Sequence, residues 1–419
     1  MLIQFSCGNF KSIREKVTLS MLATKDGEHK ECTMKIDEKI QLLPLVAIYG
    51  ANGSGKSNVL QAIGFVKFLV NEADSFHEGD DIPILPHKLE EHRPSVFELQ
   101  FIVNGVRYAY GFSITREKIL EEYLYFFPNG RQARVFERLE EQYIFGNKFQ
   151  KELDEIKRSK TRQNRLFLAT AGVWSNAEEV KHAFLFLRNE LVVNQFASNE
   201  SWLHYTIDQI STNETNKNIL LNMLNYFHIP VENIITKVEK KQLSYSDLPP
   251  HMPEELKMLL LKGSHVNYEV KLVYPNMTIH LSEESRGVQR LFEIMGPILD
   301  ILSNGKCLVF DELETSLHPL LVLQIIKLFQ TPKLNPKHAQ LIFSTHDTNL
   351  LDLTILRRDQ IWITEKNSAS ASTDLYSISD VKHVRKDENI EKGYMKGKYG
   401  GIPLIQTNFL NKWVEYIHE

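Results

Sequence analysis

Residues 42–70 read LLPLVAIYGANGSGKSNVLQAIGFVKFLV, and the three parts of this stretch decide the fold. Leu42 to Tyr49 is a compact apolar run, the pattern of a buried strand. From Asn58 to Val70, the apolar residues Val59, Leu60, Ile63, Val66 and Leu69 recur at helical spacing. Between them, Gly50-Ala51-Asn52-Gly53-Ser54-Gly55-Lys56-Ser57 fits G-x-x-x-x-G-K-S at every fixed position. The glycines let backbone N–H groups approach a phosphate with no Cβ in the way, and the dipole of the following helix favours the anion. Gly50, Asn52, Gly53, Ser54, Gly55, Lys56, Ser57 and Asn58 are therefore the expected nucleotide-binding residues. Lys56 would reach the β- and γ-phosphates of ATP, and the Ser57 hydroxyl would bind Mg²⁺. A glycine turn with an idle lysine is the plain alternative, and the strand and helix on either side argue against it.

Two later segments supply the other half of such a site. Cys307-Leu308-Val309-Phe310 is an apolar strand that ends in Asp311-Glu312, placing two carboxylates at the carboxyl edge of a parallel sheet, where α/β folds bind ligands. Asp311 is the expected Mg²⁺-shell ligand and Glu312 the general base for an attacking water. Leu341 to Ser344 is a further buried strand, and His346 follows its end, where a neutral imidazole can sense the γ-phosphate. A helix is expected between them at Leu320–Phe329. This alternation predicts an α/β head with a mostly parallel core sheet.

Elsewhere the pattern changes. Residues 96–127 hold two β-rich runs joined by Asn104-Gly105, then a run from Tyr123 to Phe127 that ends at Pro128-Asn129-Gly130, which predicts an antiparallel meander. Short strands are expected around Leu2–Phe5 and Val17–Leu19. From about 146 to 262 the sequence is helical, charged and without sustained heptads, which predicts a compact helical lobe rather than a long coiled coil. The domain expectation is a discontinuous head, residues 1–145 and 266–419, with a lobe at 146–265 inserted into it.

Composition narrows the classes. At 42% hydrophobic and 24% charged the chain is of ordinary globular type, and a formal net charge of −4 argues against whole-molecule attraction to nucleic acid. A local contact remains open at Lys157–Arg165, five cations in nine residues, with a solvated helix face as the alternative. Cys7, Cys32 and Cys307 lack metal-ligand spacing and read as reduced thiols. No signal peptide and no membrane-spanning run is evident, so a cytoplasmic location without direct membrane insertion is expected.

Taken in order, these residues resemble the heads of ABC-type ATPases, and among them the SMC-like branch. Asn9-Phe10-Lys11-Ser12 looks like the opening strand-turn of that branch, which implies that Lys11 contacts nucleotide. Ser285-Arg286-Gly287-Val288-Gln289 looks like a divergent signature motif opening an amphipathic helix striped by Val288, Leu291, Phe292, Met295, Leu299 and Leu302. Glu314 to Pro319 stands where the D-loop belongs, with His318 in place of the usual aspartate. His346 matches the switch histidine. The Q-loop glutamine is not placed: Arg165–Gly172 occupies the expected region without one, and Gln163 lies just before it.

The resemblance implies ATP and Mg²⁺ as cofactors, and a homodimer or higher oligomer in which Ser285 and Gly287 of one copy cap the γ-phosphate held by Lys56 of the other. The runs DELETSLHP (311–319), STHD (344–347) and GYMKGKYGGIP (393–403) look like the small bacterial ATPases encoded beside effector genes in phage-defence operons, restriction-like or toxin–antitoxin. That implies a sensor or regulatory ATPase whose nucleotide-dependent dimerisation controls a nucleic acid or a separate effector protein such as a nuclease. A nucleotide-driven subunit of a transport complex is the alternative. An appended metal-dependent nuclease domain is not expected, because no Asp-x-Asp pair follows His346. The tail residues Gly393, Tyr394, Gly397, Tyr399 and Gly400 are expected to dock on the head or on a partner.

Overall fold

The computed structural model describes residues 1–403 except 26, 28, 39, 73–74, 196–199, 243–244, 246–251, 255–256, 258–263, 368, 383 and 386–387. The chain divides into two compact units. The first comprises Met1–Gln195, Asn304–Glu314 and Leu323–Glu419, and the second Phe196–Ser303 and Thr315–Val322.

Two sheets build the first unit. Its six-stranded sheet runs in the order Leu191–Asn194, Cys307–Phe310, Gln340–Ser344, Leu45–Tyr49, Ile361–Lys366, Thr373–Ser377. The first five strands are parallel and the last is antiparallel. Leu45–Tyr49, Cys307–Phe310 and Gln340–Ser344 are buried throughout, as expected for parallel strands covered on both faces. The mostly parallel core read from the apolar runs is thus present.

The seven-stranded sheet is antiparallel, in the order Gln142–Phe145, Ala133–Leu139, Ile119–Phe127, Val106–Ile114, Ser95–Val103, Leu2–Gly8, Val17–Ser20. Its hairpin turns at Asn104-Gly105 with φ of 50° and 76°, the left-handed pair that a two-residue turn needs to match strand twist. A buried polar cluster locks the sheet to the helix Phe167–Trp174. Glu122 accepts from the Phe167 and Leu168 N–H groups at that helix's start (2.6 and 2.9 Å) and from the Tyr110 hydroxyl (2.9 Å). Arg138 lies 3.6 Å away and donates to the Arg165 carbonyl at 2.7 Å. Burial pushes the Glu122 carboxyl up, and Arg138 with the two N–H groups opposes it.

The division between units falls at 195/196 rather than 145/146. Helices Gln150–Lys160, Phe167–Trp174 and Glu178–Leu185 send Leu153, Ile156, Phe167, Leu168, Val180 and Phe184 into the same core as Val59 and Ile63 of the phosphate-loop helix. Charge on the outer face of 150–160 suggested a separate lobe, but two buried residues per three turns are enough to seat a helix on a head.

The second unit is not wholly helical. Helices Glu200–Thr212, Glu214–Tyr226 and Arg286–Asn304 accompany a three-stranded antiparallel sheet of Asn233–Gln242, Ser264–Tyr274 and Met277–His280. The strands at Ser264–Tyr274 and Met277–His280, and the helix after Ser285, belong to this unit and not to the first. That helix buries Leu291, Phe292 and Met295 as its stripe predicts, together with Ile294, Ile298 and Ile301. At Gly296 a Cβ would collide with Thr206, whose hydroxyl donates to the Glu293 carbonyl at 3.0 Å.

Candidate nucleotide site

Strand Leu45–Tyr49 delivers the chain into the loop 50–55, and the helix Lys56–Asn71 leaves it. Gly50 and Gly55 have φ of 153° and 109°. A side chain at Gly55 would also run into Thr373, and one at Gly50 into Thr364 and Ser54. No side chain caps the helix start, and an uncapped helix start is the kind of terminus that binds phosphate.

A cavity of about 390 Å³ opens here, lined by Ala51, Asn52, Gly53, Gly55, Lys56, Ser57, Asn58, Glu312 and His346. Gly50 and Ser54, also expected to bind nucleotide, are buried beneath the loop. Lys56 is 6% exposed and its Nζ donates to the Gly50 carbonyl at 2.8 Å. Burial lowers its pKa, with Asp311, Glu312 and Glu314 pulling the other way. The Ser57 hydroxyl donates to Asp311 Oδ1 at 3.2 Å, so the two residues expected to hold Mg²⁺ are in contact. Hydroxyl and carboxylate oxygens are the hard donors that Mg²⁺ takes, and they fit that ion.

The strand ends set the rest. Asp311 N–H donates to the Asn194 carbonyl at 2.9 Å and Ser344 Oγ to Asp311 Oδ1 at 2.5 Å. Glu312 N–H donates to Ser344 Oγ at 2.8 Å. These bonds fasten the acidic pair to the neighbouring strands. Glu312 has φ of 51°, rare for a residue with a side chain, and this backbone turn accompanies its place on the cavity wall. His346 N–H donates to Glu314 at 2.6 Å. Burial and the Lys56 cation lower the His346 pKa against the three nearby carboxylates.

Lys11 does not line the cavity. Its φ is 51° and its Nζ donates to Gln61 Oε1 at 2.6 Å, on the second turn of the phosphate-loop helix. Asn58 lines the cavity while its amide donates to Ser12 Oγ at 2.6 Å. Ser285 and Gly287 lie in the second unit. Ser285 Oγ accepts from the Val288 N–H at 3.3 Å, making it the cap of the helix it precedes, and it is exposed. A Cβ at Gly287 would sit 3.1 Å from the Ser316 carbonyl, so glycine permits a close approach of the 315–319 loop. His318 Nδ1 accepts from Leu320 N–H at 3.2 Å and caps the helix Pro319–Gln330.

One residue escaped the motif reading. Gln195 directly follows Leu191–Asn194, the strand beside Cys307–Phe310, and so stands at the same sheet edge as Asp311 and Glu312. Its Nε2 donates to the Leu60 carbonyl at 3.1 Å. It is also the last residue before the chain enters the second unit. Residues 163–172, where the resemblance would place the Q-loop glutamine, adjoin the antiparallel sheet instead, and Ile119 N–H donates to the Gln163 carbonyl. The signal available was the apolar run Leu191-Val192-Val193 ending in Asn194-Gln195, only four residues of strand.

The basic run has partners within the fold. Lys157 and Lys160 lie over the rings of Tyr143 and Trp174 at 5.1 and 4.5 Å, and Arg158 pairs with Asp154 at 2.7 Å. Arg162 and Arg165 both donate to the Phe76 carbonyl. The described tail residues 394–401 pack within the first unit. Tyr394 meets Tyr49 with ring centroids 6.0 Å apart and donates to the Gly401 carbonyl at 3.0 Å, while Gly401 lies against Gly50. Among the described residues, no helix is long and apolar enough to cross a membrane.

Three of the solved structures that match the chain are SMC heads. An SMC head domain from Thermotoga maritima has 16% identity and a TM-score of 0.39, covering 90% of this chain and 98% of that one. An SmcHead bound to the C-winged helix domain of ScpA has 14% identity and a TM-score of 0.36, covering 90% and 97%. An Smc head domain with an extended coiled coil, bound to the C-terminal domain of ScpA derived from Pyrococcus furiosus, has 11% identity and a TM-score of 0.38, covering 90% and 97%. A search of curated protein sequences finds no match. A family model described as "AAA domain, putative AbiEii toxin, Type IV TA system" matches residues 45–352, which hold the phosphate loop, the acidic pair and His346. The chain belongs to that AAA-domain family.

Proposed function

We propose that the chain binds and hydrolyses ATP with Mg²⁺, and that nucleotide-dependent pairing of two copies controls an effector protein in a bacterial phage-defence system. The observation that carries this is the convergence of Lys56, Ser57, Glu312 and His346 on one cavity, with Asp311 bonded to Ser57 behind them. Mg²⁺ held by Ser57 and Asp311 would neutralise charge on the phosphates. Lys56 turns from the loop's own carbonyls to the β- and γ-oxygens, Glu312 takes a proton from the attacking water, and His346 hydrogen-bonds the γ-phosphate. Gln195, which donates to the Leu60 carbonyl of the phosphate-loop helix, is the residue after which the chain passes into the second unit.

The type IV toxin–antitoxin description of the family supports the defence setting. An effector protein is preferred to nucleic acid as the controlled partner, because cations of Lys157–Arg165 already have partners within the fold. The test is phosphate release by the purified chain. Turnover should need Mg²⁺, and Lys56→Ala should weaken ATP binding by about tenfold to a hundredfold, the value of one or two charge-assisted hydrogen bonds. Turnover unchanged in Lys56→Ala would sink the assignment.

The same assay reads His346. Its pKa in the fold lies below the ordinary 6.5, so the unfolded chain holds more protons there. The contribution of the neutral ring to stability is complete above pH 6.5 and is lost as pH falls below it. The acid limb of the rate profile should therefore fall below pH 6.5. His346→Gln, which does not titrate, should flatten that limb. A limb that the substitution leaves in place belongs to another group.

A further inference from the structure

Four separate parts of the chain meet at Ser54, and the chemistry of their hydroxyls fixes the direction of every bond. Thr373 Oγ1 donates to the Ser54 carbonyl at 2.8 Å. Its one proton is then spent, so the 2.7 Å contact between Ser12 Oγ and Thr373 Oγ1 has Ser12 as donor. Ser12 Oγ in turn accepts from the Asn58 amide at 2.6 Å. The result is a one-way chain from Asn58 through Ser12 and Thr373 to the carbonyl of Ser54. A second chain holds the same residue's side chain. Thr364 Oγ1 donates to the Tyr49 carbonyl at 3.1 Å, so Ser54 Oγ donates to Thr364 Oγ1 at 2.6 Å. Thr364, Thr373 and Ser54 are at most 2% exposed, so water does not substitute for these partners.

We infer that Thr373 and Thr364 are positioning residues for the phosphate loop. They come from the paired strands Ile361–Lys366 and Thr373–Ser377, which complete the parallel sheet beyond the phosphate-loop strand. A phosphate loop binds by aiming backbone N–H groups at one point, and a loop rich in glycine does not hold that shape unaided. Here Thr364 pins the side chain of Ser54, Thr373 pins its carbonyl, and Gly55 packs against Thr373 with no room for a Cβ. Thr373 also ties the loop to residues 9–12, because its N–H donates to the Ser12 carbonyl at 2.8 Å. The hairpin therefore holds together the loop and the segment that carries Lys11.

This inference rests on the nucleotide-binding reading, and the test separates the two. Thr373→Val keeps the shape and removes the hydroxyl. It should weaken ATP and ADP binding about tenfold, the scale of one lost buried hydrogen bond. It should raise KM for ATP by a similar factor, with kcat moving far less. Thr373→Ser should restore binding to within about threefold of the wild type, since the hydroxyl alone is needed. A residue that served only to keep the chain folded would lower the active fraction, and so kcat, at constant KM. Should Thr373→Val fail to fold, Ser12→Ala decides, because it cuts the same chain one link earlier and should raise KM about threefold. Unchanged KM in the variants, or loss in kcat alone, overturns the positioning role while wild-type binding stands. A wild type that binds neither ATP nor ADP overturns the nucleotide reading and this one with it.

Discussion

Glu312→Gln is expected to bind ATP, hydrolyse it at least about a hundredfold more slowly than the wild type, and accumulate at the mass of two chains when Mg-ATP is added. Glutamine has the size of glutamate and retains one acceptor oxygen, but it cannot accept a proton from water at neutral pH. Glu312 is held on the cavity wall by a left-handed backbone and a bond from its N–H to Ser344, and neither depends on the carboxylate. The substitution should therefore leave the loop, Lys56 and the Ser57–Asp311 pair as they are. ATP should then stay bound, and the proposed paired state should accumulate. Light scattering with and without Mg-ATP reads the mass, and phosphate release reads the rate. Rapid hydrolysis by the variant would remove Glu312 from the role of base. If the mass ignores ATP while the wild type hydrolyses it, the two copies do not complete each other's sites, and a preassembled oligomer becomes the arrangement to test.

What the sequence made legible follows the strength of its local signals. The phosphate loop, the acidic pair and His346 each follow a fully buried apolar strand, and such strands announce themselves as unbroken runs of Val, Ile, Leu and Phe. Asn104-Gly105 marked its hairpin because few residue pairs tolerate two positive φ angles. The short strand Leu191–Asn194 gave no comparable signal, and with it Gln195 was missed. The strands Ile361–Lys366 and Thr373–Ser377 were also not foreseen, although they seat the phosphate loop. Their functional residues are threonines, which carry no motif, and their importance comes from pairings with Ser12 and Ser54 more than three hundred positions away. The boundary at 195/196 was hidden for a related reason. Leu153 and Ile156 look like any amphipathic helix, and only long-range packing assigns them to the core of the first unit.

Ser285→Asp placed in the Glu312→Gln background is expected to hold the protein at the mass of one chain in Mg-ATP, with ATP affinity within about threefold of the parent. The choice of aspartate separates the capping role that the structure gives this residue from the proposed contact with the nucleotide of a second copy. Ser285 caps the helix Arg286–Asn304 through its hydroxyl, and alanine there would cost about 1 kcal/mol of helix stability. Aspartate caps as well as serine does, so the helix start is preserved. What changes is the charge. If the exposed start of this helix closes over the γ-phosphate of a second copy, a carboxylate at residue 285 faces the most negative part of the ligand in a site that excludes water. Like charges in contact under those conditions repel by several kcal/mol, enough to empty the dimer at any practical concentration. Glu312→Gln alone should dimerise, and the double variant should bind ATP and remain single. A double variant that still assembles would show that Ser285 does not meet the partner's phosphate, and that the pairing surface lies elsewhere on the chain.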